Sequence, residues 1–229
     1  QTANWSDYQG LGISEDKLVF SGQQFTFSGN SYVYQKLRIM DRVALYSGAP
    51  LTFVDIVNFA PPAGGDANDN FVTKPARNLT PGENTIHLLC IRTGVGSRVT
   101  YRTLTGTPAA PVLSAGNLVT VSAYSAPPDA AQSGTATLVA TNDCRPTDFY
   151  VRNGVLIASW HTAALSPTVS AIRLFRMRTS DRVVLTDETF GQANTFYYFP
   201  AVTVDSVGTV FLGFDRSSST EFPSAYASG

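Results

Sequence analysis

Short apolar runs alternate with polar residues along the whole chain and are broken every few positions by Gly, Pro, Asn or Asp; no apolar stripe holds the 3.6-residue helical period. The pattern predicts an all-β protein. Four stretches repeat one shape, an apolar approach, a turn and an apolar departure. The clearest is Tyr197 to Ser218, where a run ending at Val204 meets Asp205-Ser206-Val207-Gly208 and leaves as Val210 to Phe214. Asp bonds its own backbone in such a turn and Gly takes positive φ, so a β-hairpin is expected. The others are Leu11 to Phe25, turning at Ser14-Glu15-Asp16, then Phe71 to Arg92, turning at Pro81-Gly82-Glu83-Asn84, and Pro146 to His161, turning at Arg152-Asn153-Gly154. Asn-Gly between apolar runs is the strongest short hairpin signal.

Each hairpin but the last is followed by further runs, Lys36 to Met40 with Val43 to Gly48, Arg98 to Leu104 with Pro111 to Leu113, and Ala171 to Met177 with Val183 to Leu185. All are expected as strands. Arginine alternates with apolar residues in several of them, so Arg173, Arg176 and Arg178 are assigned to a solvated strand face. The departing strands open at Leu18, Ile86, Val155 and Val210, intervals that each hold a four-stranded sheet. The expected organisation is one all-β domain over 1–229 with blade-like units near 5–60, 71–126, 135–191 and 195–229, the last incomplete. The Pro- and Gly-rich connections Ala60 to Asn70, Gly106 to Pro111 and Ala126 to Gly134 read as surface loops.

Composition narrows the function classes. Hydrophobic residues make up 43% of the 229, enough for a sizeable core. Sixteen basic residues stand against seventeen acidic ones, so no field of one sign exists to draw in nucleic acid, and no apolar run approaches the length of a membrane helix. Scarce Lys with abundant Ser, Thr, Gly and Tyr, and a first residue that is Gln1, point to an exported, secreted or surface-exposed chain. Cys90 and Cys144 are a candidate disulfide there; two buried thiols are the alternative.

The passages FPAVTVDSVGTVFLGFDRSS (Phe199–Ser218), TNDCRPTDFYVRNGVL (Thr141–Leu156) and Leu11–Phe25 resemble blades of bacterial secreted β-propeller repeat proteins, including the NHL type. The resemblance implies a β-propeller-like array of about four antiparallel blades; a two-sheet β-sandwich is the structural alternative. Thr203 to Phe211 is also similar to the Asp box of sialidases, with one extra residue between Asp205 and Gly208. That box is a turn device and implies no catalytic residue. An open array would leave strand edges for self-association or for a remainder of the chain.

Candidate chemistry is sparse. Asp66, Asn68 and Asn70 alternate as calcium-loop ligands do, but Phe71 stands where the loop glycine belongs and Arg77 where the closing Glu belongs. Asp143, Asp148, Asp187 and Glu188 are the carboxylates from which a glycosidase pair would be drawn. His87 and His161 lie far apart in strands. Asn4-Trp5-Ser6 and Asn78-Leu79-Thr80 match the glycosylation acceptor pattern, the second followed by Pro81. Trp5, Tyr8, Trp160, Tyr197, Tyr198, Phe222 and Tyr226 are aromatics available for core or for stacking on sugars. The expected function is a secreted, non-catalytic binding or structural module, an adhesin or a building block of an extracellular assembly. The alternative is a propeller-type glycoside hydrolase or lyase acting on extracellular carbohydrate.

Overall fold

The computed structural model describes residues 4–165 and 168–229. The chain is all-β and divides into two compact units, one formed by Gln1–Ile91 with Val99–Val119 and the other by Arg92–Arg98 with Thr120–Gly229.

In the first unit, strands β1 (Asn4–Ile13), β2 (Lys17–Thr26), β3 (Tyr32–Asp41) and β4 (Phe53–Val57) form an antiparallel meander. Between β3 and β4 lies the short helix α1 (Arg42–Ser47), where the apolar run Val43–Gly48 had predicted a strand. The caps explain the difference. The Asp41 side chain accepts from Ala44 N, and Gly48 closes the helix in the left-handed conformation at φ 72°. Strands β5 (Thr73–Pro75), β6 (Arg77–Asn78), β7 (Ile86–Ile91), β8 (Gly96–Thr107), β9 (Ala110–Leu113) and β10 (Asn117–Tyr124) follow, the start of β8 up to Arg98 and the part of β10 from Thr120 on belonging to the second unit. β5, β7, β8 and β10 form an open sheet with β9 paired to β8, and β6 lies parallel to β1 through Ile13 and Arg77. Alternate residues of β2 and β3, Val19, Leu37 and Ile39, pack on Ile86, Leu88 and Leu104 with no solvent exposure. Burying each such side chain contributes roughly 1.5–3 kcal/mol.

In the second unit, β11 (Phe149–Arg152), β12 (Val155–Ala164), β13 (Val169–Arg178) and β14 (Val184–Phe190) form another antiparallel meander. β15 (Phe196–Val204), β16 (Val210–Ser218) and β17 (Glu221–Ser228) form a three-stranded one. Asn153 and Gly154 turn with φ 49° and 74°, so Arg152 pairs directly with Val155. Asp205 Oδ1 accepts from the backbone N–H groups of Val207 and Thr209, closing the β15–β16 hairpin as its sequence predicts. Trp160 is fully buried, tilted against Phe175 at 6.0 Å and met edge-on by Tyr124 at 5.8 Å.

Candidate functional site

An open groove crosses one face of the β1–β3 sheet. Its cavity is about 280 Å³, lined by Asn4, Ser6, Gln9, Phe20, Ser21, Gly22, Gln24, Lys36 and Arg38. Local structure makes it. On β2, Phe20, Gly22 and Gln24 share a face, and the missing side chain of the glycine lets the Ser6 hydroxyl sit over the strand between the two larger side chains. Beside Gly22, the β1–β2 register slips between Asp7 and Gly10, with Tyr8 at φ 48°, and this bulge brings Gln9 to the rim. Gln9 is held there by donating to Ser6 O at 2.7 Å. On the other side, Gly22 pairs with Lys36 and Phe20 with Arg38.

The groove is electrically positive at one end. Arg38 donates through Nε and Nη2 to the two Asp55 oxygens, each at 2.8 Å, and Lys36 Nζ lies 2.8 Å from Asp55 Oδ2. The hydrogen bond from Arg38 leads in holding the Asp55 carboxyl below its usual range, and the same bond raises the Arg38 guanidinium. Arg38 also lies over the Phe53 ring, 3.8 Å from its centroid. Phe20 and Phe53 are 40% and 54% exposed, unusually open for phenylalanine. Ser21 is buried beneath the groove, and among the described residues its hydroxyl has no hydrogen-bond partner. Among the described residues no carboxylate lines the groove.

A second constellation sits on the β16–β17 hairpin. Arg216 Nη2 lies 2.8 Å from Glu221 Oε1 and 3.0 Å from Tyr226 OH, and the Tyr226 hydroxyl donates to the same carboxylate oxygen. Arg216 holds Glu221 ionised, while the bond to Glu221 pushes the Tyr226 phenol upward. These bonds clasp the β16–β17 hairpin.

Other carboxylates are committed to arginines. Asp143 pairs with Arg145 at 2.8 Å and Asp187 with Arg173 at 2.6 Å. The wet-face assignment of Arg173 is corrected: it is 5% exposed and donates to the Ser122 and Ala123 carbonyls of β10, whereas Arg178 is exposed as expected.

The histidines serve the interior. His87 Nδ1 is 2.7 Å from Tyr101 OH, and burial pushes its pKa down to about 4. His161 Nδ1 accepts from Phe199 N at 2.9 Å, which leaves Nε2 to donate to Asp143 O; burial lowers its pKa also.

In the proposed calcium loop, Asp66 caps the 3-10 turn Ala67–Asp69 by accepting from Asn68 N, and Asp69 bonds back to Asp66 N. Asn70 donates to Phe59 O and accepts from Arg102 Nη2 at 2.9 Å, an arrangement that puts a cation on the oxygen a metal would need. Among the described residues no three His, Cys, Asp or Glu side chains gather as a metal-ligand group. The disulfide alternative gives way to the thiol one. Cys90 Sγ lies 3.7 Å from Asn68 O and Cys144 Sγ 3.6 Å from Gly94 O, both as buried free thiols raised to about 12 by burial. The Asn78 amide is buried and donates to Thr85 O while accepting from Thr80 N, so the nitrogen that would carry a sugar is engaged within the fold. Asn4 opens β1 opposite Thr26, on the groove wall.

The groove had no sequence motif. Its signals were local ones, a glycine inside an apolar strand at Gly22 and the Lys36-x-Arg38 alternation, and only strand register brings them together. Comparison of the chain with protein-family models and with curated proteins found no match.

Proposed function

We propose that this protein is a secreted or surface-exposed, non-catalytic carbohydrate-binding module whose β1–β3 groove holds the sugar, built from propeller-type blades. One observation carries the reading: the groove combines an exposed phenyl ring with amides, a hydroxyl and two cations, and among the described residues no carboxylate lines it. Saccharides are held by that combination of apolar stacking and convergent hydrogen bonds, while glycoside hydrolysis ordinarily requires two acids across the bond. The blade reading is supported by two four-stranded antiparallel meanders, β1–β4 and β11–β14. Self-association is supported by exposed apolar side chains about α1 and β4, Val43 at 64%, Tyr46 at 66% and Phe53 at 54% exposure. Export rests on composition.

The test is saturation-transfer NMR of the full chain against a panel of oligosaccharides, with a parallel search for released reducing ends. Binding that disappears in Phe20→Ala, without turnover, supports the module. Turnover of any glycan, or binding indifferent to Phe20→Ala, overturns it.

A further inference from the structure

We infer that the groove selects saccharides bearing a carboxylate, chains of the uronic-acid type, and that Asp55 sets the strength of that selection. The inference rests on the carbohydrate reading above and adds the substrate class. Two cations, Lys36 and Arg38, border the groove and share a single carboxylate, Asp55, so the cluster keeps one net positive charge. The rest of the lining, Asn4, Ser6, Gln9, Phe20, Ser21, Gly22 and Gln24, is uncharged. Arg38 spends Nε and one Nη2 proton on Asp55, and Lys36 spends one of three ammonium protons there. Donors therefore remain on both side chains for a second anion, the geometry in which arginine and lysine recognise carboxylates.

Register supplies the alignment. Phe20 is the direct cross-strand neighbour of Arg38, and Gly22 that of Lys36, so a sugar ring stacked on Phe20 lies beside both cations, with the Ser6 hydroxyl over Gly22 next to it. Asp55 competes with the ligand carboxylate for the same donors. It lowers the affinity for acidic sugars while keeping the two cations in place when the groove is empty.

The experiment is isothermal titration of the full chain with a galacturonic acid oligosaccharide and with the uncharged galactose oligosaccharide of equal length. The expected result is about tenfold tighter binding of the acidic chain at low salt, the worth of one charge-assisted hydrogen bond, narrowing as salt rises. Asp55→Asn should tighten the acidic ligand alone, and Lys36→Gln with Arg38→Gln should erase the preference. Equal affinity for the two oligosaccharides overturns the charge selection and leaves the carbohydrate reading standing. Binding of neither overturns both. A weaker acidic complex in Asp55→Asn, with its thermal melt unchanged, overturns the role given to Asp55.

Discussion

Arg38 with Asp55 and Arg173 with Asp187 are the same device in two places, an arginine on the third strand of a meander paired with an aspartate on the fourth. Their surroundings separate them. Arg173 and Asp187 side chains are 6% and 13% exposed because the backbone of β10 runs over them, donating from Ser122 N to Asp187 and accepting from Arg173 through two carbonyls. Arg38 and Asp55 are 37% and 25% exposed, and a groove opens beside Arg38. A covered pair whose guanidinium Nη groups are bonded to neighbouring carbonyls fastens elements together. An open pair keeps unspent donors and becomes a surface for recognition.

The largest expected effect breaks the covered pair. Arg173→Leu strips Asp187 of its charge partner and leaves two β10 carbonyls unsatisfied, a loss of about 3–5 kcal/mol readable as a lower urea midpoint. Arg38→Leu should cost at most about 1 kcal/mol in the same assay, the range of exposed pairs. Equal costs at the two sites would break the comparison.

Acid tests the two units through their histidines. His87 is buried and neutral in the folded protein, with its pKa depressed from 6.5 to about 4, so between those values the unfolded chain binds the proton that the folded one refuses. Stability is complete above the unfolded value and falls as pH drops from about 6.5 toward 4, by roughly 3 kcal/mol for His87. His161 adds to the loss in the same direction. His87→Gln and His161→Gln, measured by urea melts at pH 7 and pH 5, should each flatten the slope. A pH-independent midpoint would show that the histidines titrate freely.

The smallest expected effect is chemical. Cys90 and Cys144, buried and raised to about 12, should resist iodoacetamide at pH 8 in the folded protein. Intact mass should rise by two carbamidomethyl groups only after denaturation without reductant. No alkylation in the denaturant would mean that the two sulfurs are joined.

The hairpins were legible from residues alone because their cause is local. Asn153-Gly154 and Asp205 to Gly208 hold in a few residues both the left-handed φ and the side-chain bonds that their turns need. The caps of α1 were equally local, with Asp41 ahead of the apolar run and Gly48 behind it, but the run between them also satisfies a strand pattern and six residues are too few to display a helical period. Strand alternation likewise determined that Arg38 shares a face with Lys36 and that Arg173 points away from Ile172 and Leu174. What lies over that face was decided by tertiary structure. β10, some fifty residues earlier in the chain, covers Arg173; Thr80 and Thr85 take both ends of the Asn78 amide; separate carbonyls receive the two thiols. A period of two assigns side chains to faces, but burial, partner and charge depend on contacts between distant segments, and those alone turn one arginine into a fastener and the other into the wall of a groove.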